Sequence, residues 1–540
     1  MKNLKITRGL VALTSAALIA TFAVAVPTAA RAADLDCSTT AAASKYGAFD
    51  TTLCSGKDQF GAKFEIAMPK KFNGTFIVYS HGIRKNTDLP KLPSVSPQGY
   101  VVDYSPDIAP SKEIAAALLK QGFALGGSGV QTQGWNLQEQ VLATTIVIDQ
   151  AITKFPKINH VAAWGNSLGG LSTQLLAEQN PGLVDAVAPM CLAESALAEF
   201  TMAGDFLWGV KTLFDPTIKA TGYSAGDAGK AEMIQDIIKV LTVFNTIKAD
   251  ISANPQTPPW PKTSTAPAAL TGVIPVRSAV LLLGLISGIS TQSSSFDSSS
   301  GPKGPLETSF GLAISPALAV LENGAEAAIL AVVGNYDMEL KAGGVVFDNS
   351  NTNYAARLGD DGDVYAAGLS GKTATAGMLG YLSALNPAAP RVKADQAAVA
   401  RVKALGEIEG KITVPTITLT ATADHITPPG ATQYLINKYK ASVANKQSKP
   451  GLLVNIWNKP ADEYTTFDAA GVPQTPATPT NGTQHCNYTE SQVMLVAKLL
   501  TDAAKSGKAP TNKTVLAAIK KQPRLFVDPN YVAPLFKYRQ

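Results

Sequence analysis

The stretch from His160 to Ser172 reads HVAAWGNSLGGLS, and it decides the class of fold. HVAAWG is a short apolar run of the kind that forms a buried strand. From Leu168 onward, LGGLSTQLLAEQN has the length and spacing of a helix. Between them, Gly165-Asn166-Ser167-Leu168-Gly169 fits the pattern G-x-S-x-G. Small residues on either side let the backbone turn sharply from strand to helix, which pushes the serine hydroxyl out of the sheet. A serine hydroxyl is a poor nucleophile by itself. It needs exposure, a base and a place for the oxyanion it creates. The turn supplies exposure, and a helix starting at Leu168 aims free backbone N–H groups at the same point. The competing reading is a glycine-rich packing turn whose serine caps the helix.

The flanking sequence repeats the strand–helix rhythm. KFEIAM and GTFIVYSHG read as strands, the second ending at His81-Gly82. SKEIAAALLKQG reads as a helix with Ser111 as N-cap and Gly122 as C-cap. FALGGSG is strand-like. Asn136 and Glu139 have capping-box spacing at the head of the helical stretch LQEQVLATTIVIDQAITKF. After the serine helix comes the buried strand DAVAPMC. The rhythm returns at KITVPTITLTATAD and GLLVNIWNK and ends in the helix TESQVMLVAKLLTDAAKSG. Such alternation predicts an α/β fold with a mostly parallel sheet and helices on both faces.

Between about Leu192 and Gly410 the rhythm is lost. The expected organisation is a leader at 1–32, a first part of the sheet domain at 33–194, a mainly helical cap or lid insertion at 195–410, and the rest of the sheet domain with a tail at 411–540. SAVLLLGLISGIS is too short to span a bilayer. FGLAISPALAVLENGAEAAILAVV is interrupted by Glu322 and Glu326, so it is expected to be a buried or lid helix. The segment at 473–483 is expected to be a loop.

Lys2, Lys5 and Arg8, the apolar run Gly9 to Val26, and Ala30-Arg31-Ala32 together form the pattern of a cleaved secretory signal. The expected location is therefore extracellular, or periplasmic in a cell with an outer membrane, with no stable membrane span after cleavage. Residues 1–32 hold four of the 46 basic residues and none of the 41 acidic ones, so the remainder is close to neutral. That balance gives no reason to expect nucleic acid as a partner. Four cysteines, Cys37, Cys54, Cys191 and Cys486, favour two disulfides in an exported chain. They allow three pairings, of which Cys37 with Cys54 is the natural local clip. Oligomeric state is not legible.

The base is sought among four histidines. His160 opens the strand that ends near Ser167, which puts it roughly 20 Å away at the opposite sheet edge. His81 sits where a loop would lend N–H groups to an oxyanion hole. His425 follows Asp424 directly and should face away from whatever Asp424 faces. His485, in the loop before the last long helix, remains. Asp424 ends the β-branched strand TITLTATAD and is placed to hold an imidazole. No phosphate loop, dinucleotide fingerprint or metal-ligand cluster is present in the sequence, so neither cofactor nor metal is expected.

On these residues the chain resembles the α/β-hydrolase superfamily, and within it secreted bacterial serine esterase-like hydrolases with YSHG before the serine turn and HC at the base. The resemblance covers most of 60–194 and 411–507. It implies Ser167 as nucleophile, Asp424 as acid and His485 as base, with the oxyanion held by backbone N–H groups of Leu168 and of Ile83 or Gly82. Two departures stand out. HGIRKN lacks the HGGG run of many lipases and the Gly-Gly-Pro-Gly run of related aminopeptidases. Tannase and feruloyl-esterase relatives carry a cysteine before the serine, bridged to the one after the histidine, whereas this chain has Asn166. A Cys191–Cys486 bridge would tie the His485 loop to the core instead.

The implied activity is hydrolysis of carboxylic esters, small-molecule or polymeric, through an acyl-enzyme. A serine peptidase on the same fold and a non-catalytic binding protein are the alternatives. An aspartate nucleophile of the dehalogenase kind is excluded by Ser167. In the insertion, Asp348, Asn349 and Tyr354 are the candidates for substrate contact.

Overall fold

In the computed structural model the described residues are 35–539, apart from 49, 93–95, 256, 299–313, 469–472 and 475–478. The expected leader lies outside them. Among the described residues one sheet holds β1 (Asp36–Ser38), β2 (Thr51–Lys57), β3 (Lys63–Pro69), β4 (Thr75–Ser80), β5 (Ala124–Ser128), β6 (His160–Asn166), β7 (Ala186–Met190), β8 (Thr416–Ala421), β9 (Leu453–Asn458) and β12 (Leu525–Phe526). Their order across the sheet is β1-β2-β3-β5-β4-β6-β7-β8-β9-β12. The centre, from β5 to β9, is parallel, and the antiparallel pairs lie toward the two edges.

The central parallel strands β4, β6, β7 and β8 are buried almost throughout because both faces are covered. Successive side chains alternate between two cores. Phe76, Val78, Val161 and Ala163 pack under helices Leu137–Lys154, Leu168–Gln179 and Gly430–Ala444. Ile77, Tyr79, Ala162 and Trp164 pack under helices Lys112–Lys120 and Glu490–Ser506. The helix ends follow the sequence, with two exceptions: helix Lys112–Lys120 is capped by Gln121, with Gly122 one residue beyond at φ 87°, and the second is at Asn136. Ser111 accepts from Ile114 N–H, and Thr489 forms a full capping box with Gln492. At Asn136 no such box forms, because its amide donates to the Thr132 carbonyl instead.

Between β7 and β8 the described regular elements are all helices, from Ala196–Leu213 to Gln396–Lys403, and they carry a core of their own. Helix Ser315–Ala342 is long and apolar enough to cross a membrane, with mean hydropathy 1.6, yet 72% of that window is buried inside the protein. Helix Val276–Ser287 is buried throughout. The segment expected to be a loop after Val472 contributes a short strand, β11 (Pro473–Gln474), which pairs with β10 (Thr466–Phe467).

Two disulfides close the structure: Cys37–Cys54 between adjacent strands β1 and β2, and Cys191–Cys486 across 295 residues. The C-terminus returns to the start of the insertion, where Arg539 and Tyr538 bond the buried Glu194.

Candidate active site

Ser167 stands between β6 and its helix with φ 59° and ψ −124°, a strained pair for a residue with a side chain. The neighbouring glycines make the turn fit. A Cβ on Gly165 would lie 2.3 Å from the Gly169 carbonyl oxygen, and one on Gly169 would lie 2.0 Å from that of Ser80. Both clashes are with backbone, which cannot swing aside. The serine turn therefore packs directly against the end of β4.

The structure brings together three side chains from distant parts of the chain. His485 Nε2 lies 2.9 Å from Ser167 Oγ, and His485 Nδ1 lies 3.1 Å from each carboxylate oxygen of Asp424. Asp424 is itself fixed by N–H groups of Ile426 and Thr427, both at 2.9 Å, and of Cys486 at 3.1 Å. Burial pushes the Asp424 carboxyl up, but the facing imidazole and these donors hold it below its ordinary value. Burial pulls the His485 imidazole down, but the Asp424 charge and hydrogen bond leave it above its ordinary value. This arrangement holds the carboxylate ionised, and a carboxylate on Nδ1 leaves Nε2 directed at the hydroxyl.

The Cys191–Cys486 disulfide ties the residue after His485 to the end of β7. Gln484 and Cys486, on either side of the histidine, both have left-handed backbone, at φ 63° and 52°. The loop after β4 approaches from the other side: a Cβ on Gly82 would lie 3.3 Å from that of Ser167. This places the Gly82–Ile83 backbone beside the serine. His81 is buried and its Nδ1 donates to the Gly82 carbonyl at 2.7 Å. Burial lowers its imidazole to about 4, so it stays neutral. Arg84 fastens the same loop through Asp107 at 2.6 Å.

The remaining histidines sit apart from the serine hydroxyl chemistry. His160 pairs in register with Thr75 at the opposite ends of β6 and β4. His425 turns away from the carboxylate of Asp424 and bonds Glu326 of the insertion at 3.0 Å.

Two spaces open at Ser167. A narrow chamber with about 30 Å³ of free volume is lined by Trp135, Glu199, Phe200, Met202, Leu330 and His425. A groove of about 810 Å³ runs between the Arg84 loop and the insertion helices, and His485 lines it. Asp348, Asn349 and Tyr354 line neither space, contrary to the expectation from sequence. Tyr354 donates to Asp205, Asn349 donates to Tyr354, and Asp348 accepts from Ser350 and Ala394. They hold the insertion together, because a polar-aromatic stretch can satisfy its own groups as readily as a ligand's. Glu199 went unnoticed in the sequence, since it lies in no motif, and His425 was weighed there only as a base.

The sheet order, the strand–serine–helix turn and the position of the helical insertion define an α/β-hydrolase fold. Residues 63–225 match a family model described as "Tannase-like family of unknown function (DUF6351)". No curated protein matches the chain in sequence. Among solved structures, the chain is similar to an esterase from Aspergillus oryzae at 12% identity, covering 75% of this chain and 71% of that one with a TM-score of 0.33. It is also similar to feruloyl esterase B from Aspergillus oryzae at 13% identity, covering 85% and 81% with a TM-score of 0.33. The cell wall degrading esterase LipA from Xanthomonas oryzae is 12% identical, covering 84% and 90% with a TM-score of 0.32.

Proposed function

We propose that this protein is an exported serine hydrolase that cleaves carboxylic esters through an acyl-enzyme. One observation carries the reading: a buried carboxylate, an imidazole and the hydroxyl of a strained serine turn form one hydrogen-bonded line. The tannase-like match over 63–225 agrees with an esterase-type hydrolase.

In the proposed reaction Ser167 Oγ bonds to the ester carbonyl carbon while its proton passes to His485 Nε2. The carbonyl electron pair moves onto oxygen, where N–H groups of Leu168 and of Ile83 or Gly82 receive it. Such donors account for several kcal/mol of rate enhancement. Collapse breaks the bond to the alcohol oxygen, and the alcohol leaves with the proton from His485. Water then adds to the acyl-enzyme, giving its proton to His485. The bond to Oγ breaks, Ser167 recovers the proton, and the free acid departs. Asp424 keeps the imidazole in the required tautomer and stabilises its charged form.

Peptide hydrolysis is the weaker reading. The groove's acidic residues, Asp103, Glu322, Glu326 and Asp337, are each engaged in internal hydrogen bonds, which leaves none evidently set aside for a substrate amine. Purified protein assayed on nitrophenyl esters and aminoacyl-nitroanilides, beside Ser167→Ala, tests the proposal. Ester turnover that falls by about three orders of magnitude or more in the variant is expected. Ester turnover unchanged by the substitution would refute it.

A further inference from the structure

The two spaces at Ser167 are unequal, and the chemistry says which half of an ester each one takes. This rests on the ester-hydrolase reading above. The base that accepts the serine proton later delivers it to the departing alcohol. The alcohol must therefore lie on the side of the serine that His485 lines, which is the 810 Å³ groove and not the 30 Å³ chamber. Both spaces reach Ser167 and Ile83, so an ester carbonyl placed at the serine can extend its alcohol into the groove and its acyl chain into the chamber.

The chamber wall is almost wholly apolar, which suits an alkyl chain. Trp135, Glu199 and His425 line it, and each has one buried polar atom without a protein partner, Nε1, Oε2 and Nδ1. Burial also raises the Glu199 carboxyl well above its ordinary value. The free volume is small. A cavity needs at least about 10–15 Å³ of such space to hold one water-sized group, so 30 Å³ admits only a few heavy atoms beyond the carbonyl carbon. Phe200 and Met202, from the first insertion helix, line it away from the groove, and Leu330, from helix Ser315–Ala342, lines both spaces. The groove is walled by a mixture of apolar and charged groups, including Arg84, Lys85, Asn86 and Tyr100.

We infer that the substrate is an ester of a short acyl group, of about four carbons or fewer, with a bulky polar alcohol such as a sugar. Met202 is a depth-setting residue for the acyl side.

The test is a series of nitrophenyl acetate, butyrate, hexanoate and octanoate, with acetylated cellobiose compared against ethyl acetate, on the wild-type protein and Met202→Ala. Expected are a kcat/KM at least tenfold lower for octanoate than for butyrate, a lower KM for the acetylated disaccharide than for ethyl acetate, and an octanoate-to-acetate ratio at least tenfold higher in M202A. Octanoate turned over as well as acetate by the wild type, or an M202A variant active on acetate with the same chain-length profile, would overturn the inference while leaving an esterase in place. A lower KM for ethyl acetate would overturn the alcohol assignment. Turnover of no ester in the series removes the ester-hydrolase reading itself, and the inference with it. Phe200→Ala stands in if M202A does not fold, with the same expectation for the chain-length ratio.

Discussion

Removing the Cys191–Cys486 disulfide, by Cys191→Ala with Cys486→Ala, separates two effects that usually travel together. The first is on stability. Taking the separation of 295 residues as the loop length, the chain-entropy expression puts the stabilisation near 5.7 kcal/mol, against the ~2–5 kcal/mol usual for native bridges. The same expression gives about 3 kcal/mol for Cys37–Cys54, which closes 17 residues far from the site. The second effect is local. Gln484 and Cys486 hold left-handed backbone that typically costs of order 1–3 kcal/mol each and persists only while the surroundings enforce it. Without the bridge, the loop is still held by Cys486 N–H on Asp424 and by the Tyr488 hydroxyl on the Leu419 carbonyl. His485 should therefore shift rather than leave. A displacement of about 1 Å costs on the order of 10²-fold in rate. Urea unfolding and ester kinetics on both double alanine variants are the assays. Loss of stability in both, with kcat reduced only for the 191/486 pair, is expected. Equal kcat losses in the two variants, or a 191/486 variant with unaltered kcat, would refute the idea that this bridge positions the base.

Asp424→Asn should leave the fold intact yet lower kcat by about 10³–10⁴-fold, measured on nitrophenyl acetate, because the amide stabilises the wrong tautomer of His485. The pH profile of kcat/KM should climb to a plateau through a value above 6.5, since His485 must be neutral to accept the serine proton and Asp424 raises its pKa. A midpoint at or below 6.5 would contradict that. The stability linked to the pair runs the other way for the histidine. Its contribution is complete below about pH 6.5 and is lost as pH rises through the folded value, whereas that of Asp424 is present above 3.8 and is lost as pH falls through its depressed value. Gly169→Ala should destabilise by on the order of 3 kcal/mol in thermal melts, since its Cβ would meet the Ser80 and His81 carbonyls at 2.0 and 2.5 Å. Arg539→Met should cost about 3 kcal/mol by leaving Glu194 buried without its cation, with Glu194→Gln on the same background restoring part of it.

TFIVYS and TITLTA were legible because they are buried along their whole length and dense in β-branched and apolar residues. The antiparallel edge was not. β1 and β2 read DCS and TTLCSGK, too short or too polar to stand out, and depend on a disulfide and on pairing with β3. Ser167, Asp424 and His485 could be singled out because each ends or follows a recognisable strand, and the sheet then converts order along the chain into proximity. The insertion offered no such converter. Helices Ala196–Leu213, Val276–Ser287 and Ser315–Ala342 are buried on most faces, so nothing local told which would border the serine. Glu326 meets His425 99 residues away, and Glu199 borders the chamber only because helix Ala196–Leu213 starts directly after β7. Long-range packing decided those contacts, and no short pattern encodes it.

The placement of the helical insertion has a consequence for synthesis. The serine turn is complete in the first third of the chain, while its two partners lie beyond residue 420. A ribosome must therefore deliver an insertion of over two hundred residues before the His485 imidazole can reach the hydroxyl. Until then the growing polypeptide carries a lone alcohol, and the hydrogen-bonded line forms in a single late event, when the final strands dock and a sulfur pair joins the halves.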